Sequence, residues 1–134
     1  LYDFNYRNLK DTEKREILTK TIYFADNEVR IAPQYLFDLS QITDLIYDNH
    51  SLGVEIHGYA DERGNELYNI ELSRRRANEV YKKIQSNMLK SNRIIIEGHG
   101  ELILNQTDIN NLSRSRKVDI IIFEPIINNS ESEN

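Results

Sequence analysis

The feature that most constrains this chain is an alternation between two hydrophobic periodicities. Thr21-Ile22-Tyr23-Phe24 is a β-branched and aromatic run closed by the turn-prone pair Asp26-Asn27, which predicts a strand. From Pro33 onward, Leu36, Leu39, Ile42, Leu45 and Ile46 recur at three- and four-residue intervals, an apolar stripe along one side of a helix. Pro33 suits its first turn, where no amide hydrogen bond is lost. Val54-Glu55-Ile56-His57 returns to a period of two and ends at Gly58, as a half-buried strand does. Leu72, Ala77, Val80, Tyr81, Ile84 and Met88 then mark one face of a second long helix, with Asn69 as a cap near its start. Arg93 to Glu97 and Val118 to Phe123 are two further β-branched runs. The last follows a loop of about twenty residues, long enough to carry function or local structure of its own. The order is β-α-β-α-β with a final strand. Right-handed crossovers place both helices on one face of a small mixed sheet, an α/β two-layer sandwich.

At 134 residues, 39% hydrophobic and 29% charged, the chain has the size and mix of one globular domain. The expected division is an N-terminal extension or linker over 1–19, the domain over 20–124 and a flexible tail over 125–134. In the first segment Tyr2, Phe4 and Tyr6 alternate with polar residues. An edge strand, a partner contact and the end of a linker all fit that pattern, and the linker is the reading adopted. The tail ends in a polar run, Asn128 to Asn134, with no apolar residue to bury. A net charge of -5 argues against nucleic acid as a partner, because affinity for phosphate backbones rests on clustered positive charge. There is no cysteine, so disulfides and thiol chemistry are excluded. No apolar run approaches the roughly twenty residues that a transmembrane helix needs. The chain starts at Leu1 without a signal segment, the pattern of a mature or trimmed fragment. A signal peptide or anchor is expected upstream.

The segment from Gly58 to Ala77, Gly-Tyr-Ala-Asp-Glu-Arg-Gly-Asn-Glu-Leu-Tyr-Asn-Ile-Glu-Leu-Ser-Arg-Arg-Arg-Ala, resembles the signature of the OmpA C-terminal peptidoglycan-binding family. That signature is a glycine, any residue, threonine or alanine, then Asp, a turn glycine, Tyr-Asn, Leu-Ser and Arg-Arg-Ala. Ala60-Asp61-Glu62-Arg63-Gly64 followed by Tyr68-Asn69 is closest to the peptidoglycan-associated lipoproteins of that family. The resemblance covers roughly residues 20 to 123: Phe24 with Ile31 resembles the first strand and turn, and Gly98-His99-Gly100-Glu101 the family's Gly-Tyr-Gly-Glu. Arg116-Lys117-Val118 stands where the family has Asn-Arg-Arg-Val, with Ser115 in place of the asparagine and Lys117 in place of the second arginine. The proline expected shortly after Glu101 is missing.

The resemblance implies a non-catalytic module that binds meso-diaminopimelate in the peptidoglycan stem peptide. It assigns the ligand's ammonium to Asp61 and its carboxylate to Arg76, with Asn27 lining the same cleft and Ala60, Leu72 and Tyr59 as neighbours. The chemistry fits. Diaminopimelate carries both charges on one carbon, and a receptor needs an acceptor and a planar double donor a few ångströms apart; the arginine fork meets a carboxylate bidentately. An internal Asp61–Arg76 salt bridge without ligand is the plainer reading of such a pair, and the whole motif weighs against it. No cofactor is implied. The setting implied is the periplasm, with a tether to the outer membrane supplied upstream and envelope proteins as further partners. Outer-membrane porins, Tol-Pal lipoproteins, flagellar stators and secretion systems all use this family.

Three other readings carry less. Arg74-Arg75-Arg76 does not form one basic surface, since successive helical residues point about 100° apart; Arg74 and Arg75 are expected to be solvated or paired with Glu71 and Glu79. His50, His57 and His99 lie in separate segments without close ligand spacing, so no metal site is expected. Asp61, Glu62, Glu66 and Glu71 offer the carboxylate pairs a murein hydrolase would need, but nothing separates them from ordinary surface acids, and Ser73 has no recognisable base. An adaptor acting mainly through protein–protein contacts remains the alternative to a murein-binding role.

Overall fold

The computed structural model describes residues 13–61, 64–84, 93–102 and 112–126. Its elements are β1 (Lys14–Tyr23), a 3-10 turn (Pro33–Tyr35) leading into α1 (Leu36–Asp48), β2 (Gly53–Ala60), α2 (Glu66–Ile84), β3 (Ile94–Glu101), a second 3-10 turn (Leu112–Ser115) and β4 (Lys117–Pro125). The strands form one four-stranded sheet in the order β1-β4-β2-β3. β4 runs antiparallel to both β1 and β2, and β2 and β3 are parallel. Two helices on one face of a mixed sheet are the two-layer α/β sandwich that the alternating periodicities predict.

The core lies between the layers. Leu39, Ile42 and Ile46 of α1 and Ala77, Val80 and Ile84 of α2 pack against Ile22, Val54, Ile56, Val118, Ile120 and Ile122 of the sheet. The sheet residues come from alternate positions, as the pleat requires. The intervening residues face away from the helices, where a smaller apolar pair, Ile95 and Phe123, is buried.

Three local expectations change. β1 begins at Lys14, so residues 14–19, expected to lie in an extension, belong to the sheet. Their polarity hid the strand because β1 is an edge strand whose Arg15, Glu16, Ile17 and Thr19 are exposed, and charged side chains are common on edges. Pairing with β4 holds it, supported by Arg15–Glu124 and Lys14–Glu55 ion pairs. At the other end, β4 runs through Pro125, and Ile126 donates its amide to the Glu13 carbonyl at 2.8 Å. Finally, α2 is capped by Asn65, whose Oδ1 accepts from the Tyr68 amide at 3.1 Å; Asn69, the predicted cap, sits buried one turn further in. Met88, the expected loop before β4 and the two chain ends lie wholly or largely outside the described residues.

One contact sets the position of α2. Gly58 and Gly98 are register partners on β2 and β3. A Cβ on Gly58 would stand 2.1 Å from the Ser73 carbonyl oxygen, and one on Gly98 2.5 Å from the Arg74 amide nitrogen. The helix therefore rests on bare sheet backbone. Its first three turns are drawn down to the C-terminal ends of the two parallel strands.

Candidate functional site

Where β2 ends and α2 begins, the turn at Asp26-Asn27 closes over the helix and leaves a cleft of about 340 Å³. It is lined by Asp26, Asn27, Asp61, Gly64, Tyr68, Asn69, Leu72 and Arg76. Asp61 directly follows β2, and Arg76 lies two to three turns into α2, on the side turned to the sheet. Asn27 adopts a left-handed backbone conformation, φ 58°, which asparagine tolerates better than most residues. Its Oδ1 accepts the Tyr68 hydroxyl hydrogen bond, tying the turn to the helix.

Among the described residues Arg76 is the largest fully buried side chain, 1% exposed. Burying a cation this deeply costs free energy unless its donors are met, and the backbone meets them. Nε donates to the Glu28 carbonyl at 2.8 Å, Nη1 to the Tyr59 carbonyl at 3.2 Å and Nη2 to the Ala25 carbonyl at 3.3 Å. The guanidinium also lies over the Phe24 ring, 5.3 Å from its centroid, a cation–π placement. Burial, and next the like charge of Arg116, push the Arg76 pKa down to about 10, against the opposing pull of Asp61 and Asp26. The group is still a cation at neutral pH. Each terminal nitrogen carries a second N–H beyond the one given to backbone, the pair of donors a carboxylate takes bidentately.

Asp61 is 7% exposed. Arg116 Nη1 lies 3.8 Å from its Oδ2, while Arg116 Nε donates to the Phe24 carbonyl at 3.0 Å. The cleft therefore holds two acids, Asp26 and Asp61, and one buried guanidinium, Arg76, with Arg116 behind Asp61. Such a set can receive a zwitterion: ammonium toward the carboxylates, carboxylate toward Arg76.

Asp61, Arg76, Asn27 and Leu72 thus meet in one cleft. Ala60 does not line it: its side chain faces the core, fully buried, and its carbonyl accepts the Leu102 amide at 3.3 Å. Tyr59 reaches Arg76 only through its carbonyl, and its ring lies on the opposite face beside His99 and under Lys117. Asp26, Gly64, Tyr68 and Asn69, which line the cleft, and Arg116, which contacts Asp61, are residues that the sequence reading did not assign. Tyr68, Asn69 and Arg116 lay within the quoted motif stretches, a signal that was available. Asp26 had none beyond standing next to Asn27. Arg74 pairs with Glu71 at 3.2 Å as expected, whereas Glu79 takes Lys82 at 3.0 Å. Glu62 and Arg63 lie outside the described residues.

A family model described as the OmpA family matches residues 23–118. The chain belongs to the OmpA family. A peptidoglycan-associated lipoprotein of Buchnera aphidicola subsp. Baizongia pistaciae is 24% identical over 126 residues, spanning 92% of this chain and 72% of the relative. Among solved structures, the peptidoglycan-associated lipoprotein from Burkholderia pseudomallei superposes with a TM-score of 0.66 at 20% identity, covering 76% of this chain and 88% of that one. The cell wall anchor of the type VI secretion system from Pseudomonas aeruginosa gives a TM-score of 0.60 at 23% identity over 79% and 80% of the two chains. At these identities the structural likeness establishes the fold. No described helix is long and apolar enough to cross a membrane.

Proposed function

We propose that the cleft binds the diaminopimelate side chain of the peptidoglycan stem peptide and that the domain anchors an envelope assembly to the cell wall in the periplasm without cleaving it. The observation that carries this is the buried Arg76, held by three backbone carbonyls with Asp61 beside it in an open cleft. A guanidinium so desolvated gains from an anionic ligand more than an exposed one does. The match to peptidoglycan-associated lipoprotein supports the same ligand class and an envelope location. A binding rather than hydrolytic role is supported by the acids at hand: Asp61 is engaged by Arg116, and Glu66 and Glu71 sit exposed on the surface of α2.

The deciding experiment titrates the protein with stem peptides carrying free diaminopimelate, amidated diaminopimelate or lysine, at one salt concentration. Lysine lacks the carboxylate, and the amide replaces an anion by a neutral group. Both should bind at least tenfold more weakly, because the already buried guanidinium then gains no anionic partner from the ligand. Equal affinity for lysine and diaminopimelate peptides would make Arg76 purely structural. Release of soluble muropeptides from sacculi by pure protein would sink the non-catalytic reading.

A further inference from the structure

On the face of the sheet turned away from the helices, β2 and β3 bring together residues far apart in sequence. His57 and Glu97 are register partners, and His99 is the next residue on the same side of β3. His57 Nδ1 stands 2.7 Å from His99 Nε2 and 3.7 Å from Glu97 Oε1. The two imidazole planes differ by 19° with centroids 5.0 Å apart; with nitrogens this close, the rings meet edge to edge rather than face to face. The ligand atoms of His57, Glu97 and His99 all fall within 4.8 Å of one another.

We propose that His57, Glu97 and His99 form a binding site for a zinc-class divalent ion, with Glu55 as the residue that positions His57. The other nitrogen of His57, Nε2, lies 2.8 Å from Glu55 Oε1. A carboxylate there accepts the Nε2 proton and leaves Nδ1 as a lone pair directed at His99 and Glu97, the arrangement in which metal-ligating histidines are commonly held. Glu55 is itself fixed by Lys14 at 2.6 Å. Two imidazoles and a carboxylate are a zinc donor set with an open fourth position for water or a partner's side chain. Tetrahedral coordination at about 2.0–2.1 Å separates ligand atoms by roughly 3.3 Å. From 2.7 Å the histidine nitrogens must part by about 0.6 Å and turn toward a common centre, and Glu97 must swing in, since the cluster's ligand atoms spread over as much as 4.8 Å; rotation about the side-chain torsions of the exposed His99 and of Glu97 supplies these movements. The ion would replace the hydrogen bond between the rings: the proton on His99 Nε2 passes through solvent to Nδ1, and His99 binds through Nε2 as the neutral Nδ1–H tautomer. Glu97 is the carboxylate assigned to the ion because its Oε1 lies 3.7 Å from His57 Nδ1; Asp119, on the same face, is held by Thr21 at 2.7 Å and Lys117 at 3.1 Å.

The test is calorimetric titration of chelator-treated protein with zinc chloride, repeated with cobalt to read coordination from the visible spectrum. One ion per chain and a tetrahedral cobalt spectrum are expected. His57→Gln and His99→Gln should each weaken binding at least tenfold and Glu55→Gln about tenfold. His50→Gln, at an exposed histidine outside the cluster, should leave it unchanged. Circular dichroism confirms folding of each variant. If His99→Gln does not fold, Glu97→Gln carries the same expectation. Failure of the parent protein to take up zinc saturably, or equal uptake by the folded variants of His57, His99 or Glu97, overturns the proposal.

Discussion

Replacing Arg76 by lysine keeps the charge and removes the fork, and so separates what the cation does from what its geometry does. In the structure the guanidinium satisfies three carbonyls from two places in the chain: Ala25 and Glu28 in the turn after β1, and Tyr59 in β2. A lysine ammonium is a single point on a flexible stem and can satisfy one, or at most two, of carbonyls so arranged. Hydrogen bonds to charged groups are worth about 1.5–3 kcal/mol each. Losing one or two, with partial relief from water entering the site, gives an expected loss of about 2–4 kcal/mol. For a domain of this size that is roughly 6–12 °C in melting temperature. Because this arginine ties a turn to a strand, Arg76→Ala should also destabilise, and an assay on the alanine variant would confound folding with binding. The lysine variant is therefore measured twice: by calorimetry for stability, and by stem-peptide titration well below its melting temperature. Binding should fall at least tenfold while the folded far-ultraviolet spectrum persists. A melting temperature within a degree or two of the parent would refute the structural role assigned to the three carbonyl bonds, whatever the binding result.

Asp61→Asn should abolish most sacculus binding while leaving the fold intact, read by pull-down and circular dichroism; undiminished binding would remove Asp61 from the site. Gly98→Ala should destabilise by about 1–3 kcal/mol, seen as a lower denaturation midpoint, because the new methyl meets the backbone of Arg74 and must push α2 off the sheet. The folded pKa of Arg76, about 10, lies below the ordinary value for an arginine. The unfolded chain thus holds its proton more tightly, the charged form costs stability at lower pH, and that cost lifts only as pH rises through about 10. An anion needs the protonated fork, so the Arg76 contribution to peptide affinity should stay flat between about pH 6 and 9 and be lost as pH climbs past about 10. Affinity that halves repeatedly between pH 7 and 9 would point to another group.

The layers of the fold were readable because the core residues keep their periods: Leu39, Ile42 and Ile46 at helical spacing, Val54 and Ile56 at strand spacing, all buried. β1 was misplaced because a strand at the edge of a sheet is stabilised by a partner's backbone, and its own side chains need not advertise it. Asp61 and Arg76 were legible as members of a long local motif, but the way Arg76 is held was not. Its acceptors are carbonyls, which every residue has, and nothing in the identities of Ala25, Glu28 or Tyr59 marks them. The same limit hid His57 and His99. Forty-two positions separate them in sequence, and the distance between them is set by the parallel register of β2 and β3. Spacing rules find ligands that share one element and miss those that pairing brings together.

β2 serves both faces of the molecule through the pleat of a single strand. Gly58 faces α2 and gives it room to approach, while His57 and Tyr59, one step either side, face the opposite way. Tyr59 belongs to both: its carbonyl is held by Arg76, and its ring lies 5.0 Å from that of His99. The ladders of β2 to β4 and β3 are regular as far as Gly58, and the register against β3 shifts between Gly58 and Ala60, so Tyr59 stands at the irregularity, outside the regular pairs. Its carbonyl accepts from Arg76, and Tyr59 is therefore the point of β2 at which the cleft and the histidine cluster adjoin.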